Sequence, residues 1–576
     1  MSNKKVDYNM SKYDYLYENN KNYMDYTALS FSPGQGKEIN ITYEELHDKI
    51  NKYATALSKY GIKAGDKVAV CAINTPESVY ILYALDKIGA VVIGLSPLNN
   101  DYKMKQDLEM TMPDVVITID LLYSKIKMFE EILGFSSLVY SPLESVNNPI
   151  VKFVYNSKQK KLGNYTKDKN KKLMNIIKLG DSDIFTYPKY KLDSLTDLMF
   201  TGGSTGVHKG VELSSRGLNA VVEGMEHMFK LEPGMVHLGQ IPIGHMVYGR
   251  MIMHYSLAHN LEFAMTLKAM PSDFYSELLR TQPHAAVGGP PHWSEFVGVD
   301  EKGNKIINPK LIKDSLPNLR YATSGGEAAK LENVLIENEA LKYMGSKAQM
   351  GDGLGTTEMW SAVLINNGSN SVGSLGNPLS ELKIKIVDQI TGEEILDDRP
   401  GELHVSGPSL MLRYYNNEEE TNKVIYNDEK GTRWYNMGDI VKRVNKDSDE
   451  FVYVGRTKRN FVSGVDNIYP EEIESLLLKL PEIREVIVTR IPDESKQFLP
   501  KYHISVFEYN FDTKELEDRI NTLIASTLGE SALPGYIEYT DQPLKRTDNT
   551  KLDVVHYQKL DLENFEKSKE KIKTRN

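Results

Sequence analysis

The chain has 576 residues, 40% hydrophobic and 26% charged, with a formal net charge of -10. That length exceeds what one core can hold, so at least two domains are expected. The acidic balance argues against a nucleic-acid binder, whose phosphate contacts need a basic face. A single cysteine, Cys71, excludes an intramolecular disulfide framework and a cysteine-rich metal site.

The Tyr/Asn/Lys-rich N-terminus has no apolar stretch of the signal-peptide kind. The longest apolar runs, such as residues 90–95, fall far short of the ~20 residues of a membrane span. A cytoplasmic protein with no transmembrane segment is the expectation. Thr42 followed by Glu45 predicts a capped helix that runs to Gly61. Residues 66–95 read as a βαβ unit in which Gly89 ends the helix, and Cys71, between Val70 and Ala72, falls in the core. A further strand at 114–119 makes an open α/β sheet the expected architecture. Between about 130 and 195 the pattern weakens, and the lysine-rich run 158–172 reads as a solvated loop.

The most informative stretch follows. Leu198, Met199 and Phe200 predict a buried strand, which runs into Thr201-Gly-Gly-Ser-Thr-Gly-Val-His-Lys-Gly210. Glycines permit close backbone approach, hydroxyls donate and Lys209 adds a cation, so the loop reads as an anion nest for polyphosphate. A flexible Gly/Ser turn is the equal alternative from these residues alone. The loop is not a Walker motif, because His208 and Gly210 flank the lysine. From about 372 shorter strand-like pieces predict a β subregion. Beyond residue 455 a small α+β unit is expected, with helices at 470–479 and 513–527 and strands at 486–489 and 504–507.

Ser324-Gly-Gly-Glu327, Leu354-Gly-Thr-Thr-Glu358, Gly401-Glu-Leu403, Trp434-Tyr-Asn-Met-Gly-Asp439, Gly455-Arg-Thr-Lys458 and the run ending in Lys551 follow the glycine loop in a fixed order. Together the set resembles the signatures of the acyl-adenylate-forming (AMP-binding) superfamily, and the segment 461–474 resembles the acyl- and aryl-CoA synthetase form. The resemblance implies an α/β protein: a large N-terminal domain (1–455) of α/β sheets with a β subregion, and a small mobile α+β C-terminal domain (456–576) hinged near Lys458. It implies an acid–thiol ligase that converts a carboxylic acid and ATP into acyl-AMP and pyrophosphate, then passes the acyl group to CoA. The alternatives are a ligase that loads a separate carrier protein in trans through phosphopantetheine, and a non-catalytic nucleotide-binding homologue.

By the same resemblance, Thr201, Gly202, Gly203, Ser204, Thr205, Gly206 and Lys209 would hold the phosphates. Gly325, Gly326, Glu327, Leu354 and Gly355 would line the nucleotide slot, with Asp352 accepting from the adenine amine. Thr357 would contact the α-phosphate and Glu358 would hold Mg²⁺. Asp439, assisted by Arg456, would accept from the ribose hydroxyls. Lys551 would bridge the carboxylate and the α-phosphate, and Ser463 and Gly464 would border a thiol tunnel. His245 matches a position near the acyl pocket, though Gly249 falls one residue late; core and pocket readings stand equal there. Leu354 stands where the family has an adenine-stacking aromatic, and Val465 where it has glycine.

Overall fold

The computed structural model describes residues 6–34, 37–180, 187–201, 209–268, 270–300, 304–326, 329–389, 391–457, 459–463, 466–493, 496–507, 513–546 and 552–573. The chain divides into two compact units: 1–384 with 405–435 and 449–451, and 385–404 with 436–448 and 452–576.

The larger unit contains two large sheets, besides the small antiparallel pair Val297–Val299 and Lys305–Ile307. One has the strand order Arg413–Tyr414, Lys209–Leu213, Asp197–Thr201, Val91–Gly94, Lys67–Cys71, Val115–Ile119, Ser136–Tyr140. Its last five strands are parallel and its first two pairings antiparallel. The expected βαβ unit lies at its centre: Pro76–Ile88 is the crossover helix, and Gly89 ends it in the left-handed region at φ 84°. Parallel strands buried on both faces read as unbroken apolar runs, which made this part legible. The capping box at Thr42 and Glu45 also forms, opening the helix Tyr43–Tyr60. Cys71 is buried.

The second sheet has nine strands, in the order Asn377–Pro378, Ser361–Ile365, Met350–Thr356, Tyr321–Gly325, Ala285–Gly288, Val236–Gly239, Glu262–Thr266, Thr27–Ser32, Ile39–Thr42. Its helical cover packs through Phe274, Trp293, Phe296 and Leu341, all fully buried.

In the smaller unit, the antiparallel pair Ile483–Asp493 and Gln497–Val506 is joined in parallel by Tyr536–Thr540. Helices Pro470–Leu477 and Thr513–Leu528 pack on it through Ile473, Leu516, Ile520 and Ile524. The strands are longer than predicted, because the polar residues near their ends carry no alternating pattern. The lysine run at 158–172 needs a correction. Its first residues are the last turn of a helix, Pro149–Lys161, begun by Asn148 capping Ile150 and Val151 and by proline at the first turn. Among the described residues no helix is long and apolar enough to cross a membrane.

Candidate active site

The strand Asp197–Thr201 pairs antiparallel with Lys209–Leu213, with Thr201 opposite Lys209. The glycine loop is therefore the connection of a hairpin. Gly202, Gly203, Ser204, Thr205 and Gly206 lie outside the described residues, but both of its stems are fixed. Lys209 Nζ sits 2.6 Å from Glu420 Oε2 and 4.6 Å from the centroid of the Tyr414 ring.

Tyr414 links this stem to Glu358. Its hydroxyl donates to Glu358 Oε1 at 2.7 Å, and Thr356 donates its hydroxyl to Oε2. Glu358 is buried, and among the described residues no lysine or arginine pairs with it. A buried carboxylate whose described partners are two hydroxyls keeps acceptor capacity for a hard cation, so the donor set fits Mg²⁺. Sequence reading missed Tyr414, because one tyrosine in Arg413-Tyr-Tyr-Asn-Asn417 gives no signal that it faces a carboxylate.

Thr357 and Glu358 stand in the short 3₁₀ turn Thr357–Met359 between the strands Met350–Thr356 and Ser361–Ile365. The turn is tight enough that a Cβ at Gly355 would lie 1.4 Å from the Ser361 carbonyl oxygen. It leaves Trp360 at φ 54° and Ser361 at φ 88°, a conformation that L side chains adopt only when their surroundings impose it. The imposing contacts are visible. Trp360 is fully buried, and its indole donates to the Ser214 carbonyl at 2.8 Å, while Met411 N donates to the Glu358 carbonyl at 2.7 Å.

The residues expected to line a nucleotide slot come from two parallel strands in register, with Ser324 opposite Asp352 and Gly325 opposite Gly353. Asp352 accepts from Gly353 N at 2.9 Å and Ala329 N at 3.4 Å, and burial pushes its carboxyl up to about 6 against those two hydrogen bonds. Ser324 Oγ is buried with no hydrogen-bond partner among the described residues. A buried hydroxyl without a partner beside a carboxylate fits a slot for a polar planar ring. Gly325 is required by close approach, since a Cβ there would lie 2.9 Å from Tyr248 Oη. Tyr248, also missed from sequence, is a half-buried residue whose phenol is raised well above its usual value by desolvation and by the Asp352 charge. Gly326 has φ 88°, Leu354 is partly exposed beside Gly355, and Glu327 lies outside the described residues.

His245 lies in the loop before the helix Val247–Ala258, and its Nδ1 is buried with no partner among the described residues. Burial, aided by the Arg250 charge, lowers its imidazole to about 4, so it is neutral at ordinary pH. The loop is held from both sides. Asn74 Nδ2 donates to the carbonyls of Gly239, Gln240 and Ile241 at 3.2, 3.4 and 3.0 Å, and its oxygen accepts from Ile243 N at 2.9 Å. The buried Arg250 donates to the carbonyls of Ile243 and Gly244, each at 2.9 Å, and to Asp197 Oδ1 at 2.7 Å. Asp197 also bonds Lys12, which lies 3.4 Å from Asp86. One buried ionic network thus ties the strand that feeds the glycine loop to the loop that carries His245.

In the smaller unit Arg456 Nε lies 2.8 Å from the buried Asp439 Oδ1. Asp439 stands in the strand Arg433–Arg443, just after Gly438 at φ 70°; Asn436 accepts from Gly438 N at 2.8 Å and donates to Glu402 Oε2 at 2.8 Å. Thr457 donates to Glu402 Oε1 at 3.0 Å. Burial works to raise the Glu402 carboxyl, but hydrogen bonds from His404, Gln389, Thr457 and Asn436 outweigh it and hold the group down at about 2. Glu402 thus joins Asn436 and Thr457, which stand close in sequence to the Gly438-Asp439 pair and to Arg456. Ser463 is buried with its hydroxyl unpartnered among the described residues, on the strand Phe461–Ser463. Lys458, Gly464 and Lys551 lie outside the described residues.

Two α/β sheets with a buried carboxylate at a tight hairpin turn, and a separate α+β unit, make up the fold of the adenylate-forming enzymes. Its likeness to solved structures runs nearly end to end. ATP-bound MatB from Rhodopseudomonas palustris matches with a TM-score of 0.77 and 18% identity, over 97% of this chain and 100% of that one. The anthranilate CoA ligase AuaEII in complex with anthranoyl-AMP matches at 0.74 and 18%, over 97% and 98%. The chain belongs to the AMP-binding enzyme family, whose model matches residues 16–415. Curated relatives include a long-chain-fatty-acid–CoA ligase of Bacillus subtilis, 28% identical over 86% of this chain and 85% of the relative. A probable CoA ligase of Humulus lupulus is 27% identical over 84% and 83%.

Proposed function

We propose that the enzyme activates a carboxylic acid with ATP and then transfers the acyl group to the thiol of CoA. In the first step a carboxylate oxygen attacks the α-phosphorus, the bond to the bridging oxygen breaks and pyrophosphate leaves. In the second, the thiol sulfur attacks the acyl carbonyl, AMP leaves and the thiol proton is released. The observation that carries this reading is Glu358, buried and held by Tyr414 beside Lys209. The curated CoA-ligase relatives support the choice of acceptor.

The roles divide by chemistry. Thr201, Lys209 and the loop between them are assigned to the β- and γ-phosphates. Asp352, Ser324, Gly325 and Gly326 are assigned to adenine, with Leu354 and Gly355 beside them, and Asp439 with Arg456 to the ribose. Glu358 would hold Mg²⁺, which when bound screens the phosphate charges. Thr357 is assigned to the α-phosphate, and Lys551 to the two anions that must meet in the first step. Neutral His245 would border the acyl group, Ser463 and Gly464 the thiol, and Lys458 the hinge.

ATP–pyrophosphate exchange with Mg²⁺ over a panel of short, long, aromatic and amino acids tests the first step, and hydroxylamine trapping of acyl-AMP checks it. Exchange with one acid class is expected, and ATP binding with no exchange on any acid would overturn the reading. Comparison of CoA with a phosphopantetheinylated carrier protein then tests the acceptor; transfer to the carrier alone would overturn CoA.

A further inference from the structure

The helix Pro149–Lys161 follows the edge strand of the seven-stranded sheet, and its inward side is anchored. Tyr155 donates to Asp120 Oδ1 at 2.6 Å, Lys152 to the Glu144 carbonyl at 2.7 Å, and Gln159 is buried. The opposite side carries Ile150, Phe153 and Val154, spaced i, i+3, i+4, with exposures of 73%, 73% and 61%. Leu162, just past the helix, is 59% exposed. Its neighbour Gly163 accepts from Ser124 at 3.2 Å, and Leu121, three residues before that serine, is exposed as well. Single exposed apolar residues need no explanation, but three adjacent ones on one helix face continued by leucines do.

The charge around them is one-sided. Residues 149–172 contain eight lysines and one acidic residue, Asp168, in a chain of net charge -10. Lys158, Lys160, Lys161, Lys167 and Lys169 are exposed. We propose that this face docks the enzyme on an anionic lipid surface, with Ile150, Phe153 and Val154 entering the headgroup–acyl boundary and the lysines lying against the headgroups. A second copy of the chain is a poor occupant, because the same face would set lysines against lysines. An acidic protein would need walls to fit, whereas these side chains stand out from the surface. Lysine stems suit the role, since they lie along apolar surface with the ammonium in water. The proposal is independent of which acid the enzyme takes.

Flotation of the full chain with phosphatidylcholine vesicles, alone and mixed with phosphatidylglycerol, tests it, with Ile150→Asp/Phe153→Asp and Lys158→Glu/Lys160→Glu/Lys161→Glu as variants. Wild type is expected to float with the anionic vesicles only, less so at raised salt. Each variant should lower the partition by about tenfold or more while pyrophosphate exchange stays at the wild-type rate. Absence of flotation with anionic vesicles, or equal flotation of wild type and the Ile150/Phe153 variant, would overturn the proposal. So would a concentration-dependent dimer in sedimentation that the same variant abolishes, which would assign the face to a second copy.

Discussion

At the scale of single residues, what matters most is which partners a carboxylate has. Glu358 and Asp352 are both acidic residues near glycines, yet one is held by hydroxyls and the other by two backbone N–H groups in a site that raises it to about 6. For Asp352 the linkage has a definite sign. Its folded value lies above the usual carboxylate value, so ionisation opposes folding, and stability falls as pH rises from about 4 to about 6. Under the proposed assignment of Asp352 to adenine's amine, the ionised carboxylate is the stronger acceptor, so affinity should fall as pH drops below about 6. Binding of adenosine measures this without interference from phosphate titration; Asp352→Asn should give a flat profile. Tyr414→Phe removes one hydrogen bond to a buried charge, worth about 1.5–3 kcal/mol. It is expected to lower kcat/KM by on the order of tenfold and to raise the Mg²⁺ concentration needed for half-maximal exchange. Leu354→Tyr should lower KM for ATP several-fold, if a ring stacks there for about 0.5–1.5 kcal/mol.

At the scale of elements, the βαβ unit was legible because burial on both faces leaves an unmistakable apolar run and because Gly89 marks its helix end, as Thr42 marks the start of the helix before it. In the glycine-loop hairpin, Lys209–Leu213 was not read as a strand, whereas its antiparallel partner, the first stem from Leu198 to Phe200, was legible in the same way. The helix Pro149–Lys161 was not, since its apolar residues point away from the protein and its lysines mimic a loop. Nor was the service that Asn74 and Arg250 give the His245 loop. Asn74 is far from it in sequence and Arg250 lies just after it, and the loop partners of both are backbone groups that no side-chain pattern reveals. Asn74→Ala removes hydrogen bonds to four backbone groups and should raise KM for the acid more than KM for ATP. Arg250→Gln leaves Asp197 short of a buried partner and should cost about 3–5 kcal/mol of stability, read as a lowered midpoint in denaturant. Arg250→Lys keeps the charge and should recover part of that stability without restoring the loop.

For the whole molecule, the ordered set of motifs told more than any one of them, because a fold that gathers distant segments leaves its signatures spread along the chain. The sequence could not show that Glu402 holds both Asn436 and Thr457, near Asp439 and Arg456 in the chain, since Gly401-Glu-Leu403 alone is an ordinary strand. Its folded carboxyl is depressed to about 2, so the stability it contributes is present above the unfolded value near 4.5 and is lost as pH falls toward 2. Glu402→Gln should therefore be less stable than wild type at neutral pH by on the order of 2–3 kcal/mol, with the gap closing in acid. Lys551→Ala is expected to abolish pyrophosphate exchange while sparing thioester formation from synthetic acyl-AMP; equal loss of both would refute its assignment to the first step.

Trp360 also has an optical consequence. It is one of three tryptophans, is fully sealed from water, and lies two residues from the carboxylate assigned to the metal. Its emission should be blue-shifted and resistant to aqueous quenchers such as iodide. With Trp293 and Trp434 replaced by phenylalanine, the enzyme would carry a single built-in fluorophore at the hairpin turn. Titrating that protein with Mg-ATP would then report nucleotide arrival directly, with no label attached and no turnover required.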